Sequence, residues 1–300
     1  MIRMEQVTKH FDDIVALNGV TAQIEENCIF GLVGTNGAGK STLLRVIAGV
    51  LKPEEGQVSI DDVPVWESVQ AKSRVCFIPD VAMFFPNATA AVMRDYYRVV
   101  YPGFDAARFD DLLSKFELDP RRKLSTFSKG MKKQVSVLLG ICANTDYLLC
   151  DETFDGLDPV MRQTVKSLFA SEILNRKFTP VIASHRLREI EDICDFVGLL
   201  HKGGILFAKD LDEMKLGIHK LQCVIPDAAD EEALLSELKV LQKEKRGSLL
   251  TIVVRGSYNE IEQKLQEKQP LFSEILPLTL EEIFISETEV AGYDIKNLVF

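Results

Sequence analysis

A glycine-rich loop that joins an apolar strand to a helix pattern constrains this chain more than any other feature. Residues 34–41 read Gly-Thr-Asn-Gly-Ala-Gly-Lys-Ser and fit the pattern G-x-x-x-x-G-K-[ST], after an apolar run and before a helix-like stretch. Such glycines let backbone N–H groups wrap around phosphate oxygens, and the helix start adds the positive end of its dipole. Lys40 is predicted to reach the β- and γ-phosphates, and the Ser41 hydroxyl to bind Mg²⁺. The expected nucleoside triphosphate contacts are Gly34, Thr35, Asn36, Gly37, Ala38, Gly39, Lys40, Ser41 and Thr42.

Composition narrows the class of protein. The 300 residues carry a formal net charge of -10, which argues against a nucleic-acid partner, because such proteins usually present a basic surface. The six cysteines form no C-x-x-C pair, which predicts buried thiols in a reducing compartment and neither a disulfide framework nor a zinc site. Apolar stretches such as 135–143 are far shorter than the about 20 residues that cross a bilayer. We therefore expect a cytoplasmic protein, and any membrane part would come from another polypeptide.

The first two thirds of the chain alternate between strand and helix patterns. A frame of this kind, interrupted by a helical block, predicts a parallel α/β core with an inserted helical subdomain at about residues 81–143. The predicted strands are 2–7, 20–24, 29–33, 58–60, 74–78, 147–150, 181–184 and 196–200, and the predicted helices are 90–101, 106–116, one from residue 128, 159–174 and 187–193.

A separate pattern of predicted strands and helices begins after about Lys209. Strands are expected at 221–225 and 249–254, and helices at 231–243 and 261–267. This stretch contains no phosphate loop and no metal-ligand cluster. The predicted domains are therefore residues 1–209, which carry the chemistry, and a small accessory α+β domain at 210–300.

Two carboxylates follow the apolar strand that begins at Tyr147. A buried strand would deliver Asp151 beside the phosphate loop, where it could hold Mg²⁺ through water. Glu152 would polarise the water that attacks the γ-phosphate. The same pattern fits an ordinary acidic turn at the end of a strand. Because the chain also carries a phosphate loop, we prefer the catalytic interpretation.

A third candidate motif occupies residues 126–134, in which Ser128 is a good N-cap for the helix that follows. With the other motifs, this run resembles the signature sequence of ATP-binding-cassette (ABC) ATPases, whose common form is Leu-Ser-Gly-Gly-Gln. Ser128 and Gly130 keep their places, whereas Phe127, Lys129 and Met131 depart. Lys129 adds a positive charge that either favours nucleotide binding or is only solvated. The resemblance covers roughly residues 2–209 and implies a P-loop NTPase core with an N-terminal antiparallel β subdomain.

The resemblance assigns further residues. Phe11 looks like the aromatic residue that stacks on adenine, although an isolated Phe before a turn is more often part of a core. Asp158 takes the terminal acidic position of the D-loop. His185 resembles the switch histidine that contacts the γ-phosphate. Lys40, Glu152 and His185 are thus the expected catalytic set.

Asp80 stands where the family normally has the glutamine of the Q-loop. An ionised carboxylate suits Mg²⁺ but cannot donate a hydrogen bond. Our hypothesis is that Asp80 keeps a metal-linked role beside Ser41 and Asp151.

The family resemblance implies an ATPase that powers a transporter. Two ATPase chains would pair head to tail, so that Ser128 and Gly130 contact the ATP of a partner, which is either a second copy or a paralogue. Separate transmembrane permease subunits would hold the pair on the inner face of the cell membrane. The ending Leu280-Glu281-Glu282-Ile283-Phe284 resembles that of exporter subunits, and as an ordinary amphipathic helix it needs no such explanation. A soluble ABC ATPase with a non-transport role and a regulatory or sensor subunit remain alternatives.

Overall fold

The computed structural model describes residues 1–290, with side chains described to residue 286, and the chain forms two compact units, Met1–Ala208 and one that begins at Lys209. The strands of the first unit are β1 (Ile2–Phe11), β2 (Ile14–Ile24), β3 (Phe30–Val33), β4 (Glu55–Ile60), β5 (Val63–Pro64), β6 (Val75–Ile78), β7 (Tyr147–Asp151), β8 (Thr179–Ser184), β9 (Phe196–His201) and β10 (Gly204–Asp210). Its helices are α1 (Lys40–Ile47), α2 (Val69–Lys72), α3 (Ala90–Val100), α4 (Ala106–Lys115), α5 (Lys129–Cys142), α6 (Pro159–Asn175) and α7 (Leu187–Ile193).

Two sheets form the frame of the first unit. An antiparallel sheet has the order β2-β1-β4-β5, and a second sheet has the order β10-β9-β3-β8-β7-β6. The five strands from β9 to β6 in that order run parallel. The predicted α/β class, with an antiparallel β subdomain before a parallel core, is confirmed. Because the carboxyl ends of parallel strands meet at one edge, the loops after β3, β6, β7 and β8 gather there.

Helices α3, α4 and α5 form the predicted helical insertion between β6 and β7. Each begins at a side-chain cap, in which Thr89, Asp105 and Ser128 accept a hydrogen bond from a backbone N–H of the first turn. Their shared core is apolar and includes Met93, Phe109, Leu112, Leu113, Leu124, Phe127, Val135, Leu138 and Leu139.

The second unit is a split βαβ arrangement. Its elements are α8 (Leu211–Leu216), β11 (Ile218–Val224), α9 (Ala228–Glu237), β12 (Lys239–Arg246), β13 (Leu249–Arg255), α10 (Tyr258–Glu267), β14 (Phe272–Leu276) and α11 (Leu280–Val290). The antiparallel sheet has the order β12-β13-β11-β14, so the β-α-β-β-α-β run has ferredoxin-like topology. The buried apolar cluster of this unit includes Leu221, Cys223, Leu234, Leu250, Ile252, Val254, Ile261 and Leu265.

One predicted helix in the second unit is wrong in its second half. The expected helix 231–243 ends at Glu237, and the chain turns into strand β12. Strand β12 pairs with β13 along its length, from Lys239 opposite Arg255 to Arg246 opposite Leu249. Pairing with a neighbouring strand therefore overrides the helix-favouring composition of this segment. Strand β14 was not predicted at all.

All six cysteines are free and buried. Burial raises the pKa of Cys28 and Cys142 to about 12 and that of Cys76 and Cys223 to about 11. The thiols are therefore protonated at neutral pH and pack as small apolar groups, as the sequence predicts. Across residues 1–290, every helix is too short or too polar to cross a membrane.

Candidate active site

The phosphate loop lies between β3 and α1 at the carboxyl edge of the parallel sheet. The first N–H groups of helix α1, which begins at Lys40, point toward the loop, as at any helix N-terminus. No side-chain cap and no acidic residue of the first turn competes for them. Gly39 has φ 107°, and a Cβ there would lie 2.3 Å from the carbonyl oxygen of Ala16. Only glycine fits this position, since both the backbone angle and the space exclude a side chain.

The ammonium of Lys40 lies over the loop and is 6% exposed. Its Nζ donates hydrogen bonds to the carbonyl oxygens of Gly34, at 2.6 Å, and Thr35, at 3.1 Å. It also lies 3.6 Å from Oε1 of Glu152. Burial lowers the pKa of Lys40, and the charge of Glu152 opposes that shift. The lysine thus presents a partly desolvated cation where a phosphate would be bound.

Ser41 and Asp151 bring two hard oxygen donors together. The Ser41 hydroxyl donates to Oδ1 of Asp151 at 2.9 Å, and Asp151 is 1% exposed at the end of β7. Burial raises the pKa of Asp151, and the hydrogen bond from Ser41 opposes it. No group of three His, Cys, Asp or Glu residues that could hold a metal ion occurs in the described chain. The pair therefore fits an ion such as Mg²⁺ that takes its remaining ligands from water and phosphates.

Glu152 lies between two other predicted catalytic residues. Its Oε2 is 2.9 Å from Nδ1 of His185, and its Oε1 faces Lys40. The side chain is 15% exposed, so a water molecule at its carboxylate would be shielded from bulk solvent. A carboxylate that is oriented by a histidine can accept a proton from that water. The structure thus brings Lys40, Glu152 and His185 together.

The segment around His185 is held by its neighbours. The Ser184 hydroxyl accepts from the backbone N–H of Arg186 at 3.0 Å and donates to Glu189 at 3.1 Å. These bonds fix the backbone of the turn that follows β8, from which His185 extends to Glu152.

The start of α5 contacts the turn that follows Glu152. Ser128 caps the helix, since its Oγ accepts from the N–H of Met131 at 3.1 Å. Lys129 lies 3.0 Å from Asp155, and this hydrogen bond raises the pKa of Lys129. A Cβ on Gly130 would lie 3.1 Å from the carbonyl oxygen of Gly156. Ser128 and Gly130 were predicted to act on a partner chain, and within this chain they lie beside this turn.

Two other predicted contacts lie at element ends. Asp158 caps α6, with its Oδ1 accepting from the N–H of Met161 at 2.9 Å. Phe11 ends β1 and is 41% exposed, so it does not belong to the core. Lys9 lies over the Phe11 ring at 5.5 Å.

Asp80 follows β6, and its described partner is a residue that sequence reasoning missed. Its Oδ1 lies 3.3 Å from Nζ of Lys133, a buried lysine on α5. The same Nζ donates to the backbone carbonyl oxygen of Glu152. The available sequence signal was the position of Lys133 on the apolar face of α5, but only the fold shows the acceptors that it reaches there.

The chain is similar in sequence to one protein family and to several characterised or named proteins. Residues 17–155 match the family described as "ABC transporter". The chain is 32% identical over 287 residues to the ABC transporter ATP-binding protein YtrB of Bacillus subtilis, which covers 96% of this chain and 98% of that protein. It is 31% identical to the methionine import ATP-binding protein MetN of Clostridioides difficile, over 74% of this chain and 73% of that protein. It is 28% identical to the bacitracin transport ATP-binding protein BcrA of Bacillus licheniformis, over 72% and 71%.

Solved structures share the fold of the first unit. The ATP-binding subunit of an ABC transporter superposes with a TM-score of 0.65 at 23% identity, over 72% of this chain and 92% of that chain. A dimeric bacterial ABC transporter cassette gives a TM-score of 0.64 at 23% identity, over 70% and 99%.

Proposed function

Because this chain belongs to the ABC transporter family of ATPases, as its similarity over nearly full length to an ATP-binding protein of that family shows, we propose that it hydrolyses ATP to power a membrane transporter. The observation that carries this proposal is the arrangement of Lys40, Glu152 and His185 around one position at the carboxyl edge of the sheet.

The chain's own residues would divide the work of hydrolysis. Lys40 and the loop N–H groups would hold the β- and γ-phosphates, and Glu152 would accept a proton from the attacking water. His185 would orient Glu152 through the contact at Nδ1 and would reach the γ-phosphate. The oxygen of that water forms the new bond to phosphorus as the bond to the ADP oxygen breaks, which leaves ADP and phosphate.

Mg²⁺ would be held by Ser41 and Asp151, with Asp80 as a further carboxylate toward it. When bound, the ion neutralises negative charge on the phosphate oxygens. Phe11 would stack on adenine, which fits its exposure at the end of β1.

We further propose that the working unit is a pair of ATPase chains. Ser128 and Gly130 would contact the ATP of the partner chain, which is either a second copy or a paralogue. Asp158 would also contact the nucleotide. The positive end of the α5 dipole would favour a γ-phosphate at the start of that helix. ATP would then close the pair, and hydrolysis would release it.

Separate permease subunits would place the pair at the inner face of the cell membrane. The apolar surface at the start of the helical insertion supports such a partner. The exposed fractions of Val81 and Met83 are 72% and 82%, and the exposed rings of Phe85 and Tyr96 pack edge to face at 4.8 Å. Clustered exposed apolar groups of this kind mark protein interaction sites.

For direction, we propose export, from the resemblance of the ending at Leu280 to that of exporter subunits. Relatives with similar identity are named for bacitracin transport and for methionine import. Leu280, Ile283 and Phe284 are fully buried in the second unit, and this packing by itself explains their spacing. Transport in membrane vesicles with the neighbouring permease would decide the direction.

Replacing Glu152 tests the proposal. Glu152→Gln keeps the shape of the side chain but cannot accept the proton, so we expect the hydrolysis rate to fall about 10²–10⁴-fold. ATP affinity should stay within a few-fold, because Lys40 and the loop are intact. The matched control is Glu232→Gln, an exposed residue of the second unit. A wild-type chain that hydrolyses no ATP even with its permease would contradict the proposal.

A further inference from the structure

We propose that Lys133 is a positioning residue that holds Glu152 in its catalytic geometry and connects it to Asp80. The proposal rests on the proposed role of Glu152 and adds a residue that the nucleotide motifs do not include. Through Lys133, Asp80 would also affect the position of Glu152, in addition to any role at the metal ion.

Lys133 is a buried cation with two partners. It lies one turn into α5 and is 2% exposed. Its Nζ donates to the backbone carbonyl oxygen of Glu152 and lies 3.3 Å from Oδ1 of Asp80. An ammonium without partners would be very costly at this depth, so the fold keeps this lysine only because both acceptors are in place.

The backbone of Glu152 explains why such an anchor is needed. Glu152 has φ 47°, in the left-handed region that residues with a side chain rarely adopt. Its N–H donates to the carbonyl oxygen of Ala183 at 2.9 Å. Its carbonyl oxygen accepts from Lys133 and, at 3.3 Å, from the N–H of Asp155. The residue is thus held from both sides in a strained conformation. That conformation is what aims the carboxylate at His185 and Lys40.

Asp80 ties this anchor to the protein surface. Its side chain is 49% exposed, whereas that of Lys133 is 3% exposed, so the pair extends from solvent to the backbone of Glu152. Asp80 belongs to the loop that follows β6, and Lys133 belongs to the helix that Ser128 caps. A shift of either element would therefore change the support of Glu152 without any contact to the nucleotide.

The experiment compares two neighbouring lysines. Lys133→Met removes the anchor and keeps most of the length of the side chain. Lys132→Met is the matched control, since Lys132 is partly exposed and its described hydrogen bonds are made by its backbone. We expect Lys133→Met to lower kcat about 10–100-fold, because small misplacement of a catalytic group costs that much. The affinity for ATP, measured by binding, should change less than about twofold, because Lys40 and the phosphate loop are untouched.

A second variant keeps the proposal testable if Lys133→Met folds poorly. Asp80→Asn keeps an acceptor at the exposed end of the pair but removes its charge, so it should lower kcat about 3–10-fold, because a charge-assisted hydrogen bond is replaced by a weaker one. In the double variant, the fold reduction in kcat should be smaller than the product of the two single reductions, because both substitutions act through Lys133. With kcat measured at saturating Mg²⁺, Lys133→Met should leave the Mg²⁺ concentration for half-maximal activity unchanged, because Ser41, Asp151 and Asp80 are intact, whereas Asp80→Asn should raise it.

The outcomes separate this inference from the proposed function. An active wild type, an inactive Glu152→Gln and an unchanged kcat in Lys133→Met would overturn the inference and leave the function standing. Equal losses of kcat and ATP affinity in Lys133→Met, or multiplying losses in the double variant, would also overturn it. An inactive wild type would remove the proposed function itself.

Discussion

The two units of the chain bury different kinds of side chain. The second unit has an apolar core, and its described buried polar residues are His219, Glu231 and Ser286. The first unit buries several charges together with its apolar core. They are Lys40, Lys133, Asp151, Glu172 and Glu189. An apolar core stabilises a fold without a desolvation cost, whereas each buried charge carries such a cost and requires a partner to offset it. Among the described residues, buried charges are therefore concentrated in the first unit, where the candidate site lies.

A buried charge alone does not identify the site. Glu172 accepts from Nε of Arg176 at 2.6 Å and forms a second ion pair with Arg108, so two guanidinium groups neutralise it. The described hydrogen bond to the carboxylate of Asp151 comes from a neutral hydroxyl, that of Ser41. A carboxylate that is buried with less compensation is better placed to receive an outside cation. The balance of charge therefore distinguishes a structural acid from a functional one.

The largest expected effect compares one glycine in each unit. Gly39 and Gly247 both have positive φ, but a Cβ would collide with a backbone oxygen at Gly39 and would meet open space at Gly247. We expect Gly247→Ala to lower the free energy of unfolding by about 1–2 kcal/mol, the cost of the left-handed backbone. Gly39→Ala should cost about 1–3 kcal/mol more through overpacking and should abolish ATP binding. Urea unfolding and nucleotide titration measure both, and equal losses would remove the distinction.

A cavity in the second unit should have a large effect that stays local. Ile252 is fully buried, and Ile252→Ala should lower the stability of that unit by about 2–4 kcal/mol. ATP affinity should not change, because no predicted nucleotide contact lies in the second unit. Leu216→Ala is the control, since Leu216 is 72% exposed. Parallel loss of ATP affinity in Ile252→Ala would show that the units are coupled in energy.

The smallest effect is a gain in stability. Burial raises the pKa of Asp151 above its ordinary 3.8, so the folded chain binds a proton there more readily than the unfolded chain. The charged form therefore lowers stability above the raised pKa. Asp151→Asn should stabilise the chain at neutral pH by about 0.5–2 kcal/mol while it abolishes Mg²⁺-dependent hydrolysis.

The gain in stability of Asp151→Asn should depend on pH. Its advantage should be full at neutral pH and should shrink as the pH falls through the raised pKa toward 3.8. Thermal unfolding across this range measures it. The control Asp212→Asn, at an exposed site of the second unit, should change stability by less than about 0.5 kcal/mol at any pH. An advantage of Asp151→Asn that grows at acid pH would contradict the argument.

Sequence predicted most of the first unit because its signals are local. The apolar run before Asp151 ends where the strand ends, and Pro159 begins α6 as expected. The second unit was harder because one of its strands has the composition of a helix. Strand β12 is rich in Lys, Glu and Gln, and it lies at the edge of its sheet, where charged side chains face water and discourage further pairing.

The candidate site shows the same division. The phosphate loop and Glu152 follow from motifs that are contiguous in sequence. The pair of Lys133 and Asp80 joins residues that are 53 positions apart. Helical periodicity predicts which face of α5 is buried, but it does not predict that a lysine on that face would find two acceptors. Such contacts depend on how β6, β7 and α5 pack.

The buried cysteines give the chain a built-in reporter of opening. Cys28, Cys76, Cys142, Cys150 and Cys194 lie in the first unit, and Cys223 lies in the second. Protonated and enclosed thiols do not react with alkylating reagents, so each becomes labelled only when its surroundings open. The labelling rate of Cys223 would therefore report the opening of the second unit. The labelling rates of the other five cysteines would report the opening of the first unit, and no engineered probe is needed. Comparing these rates with and without ATP would show how much of the molecule the nucleotide stiffens.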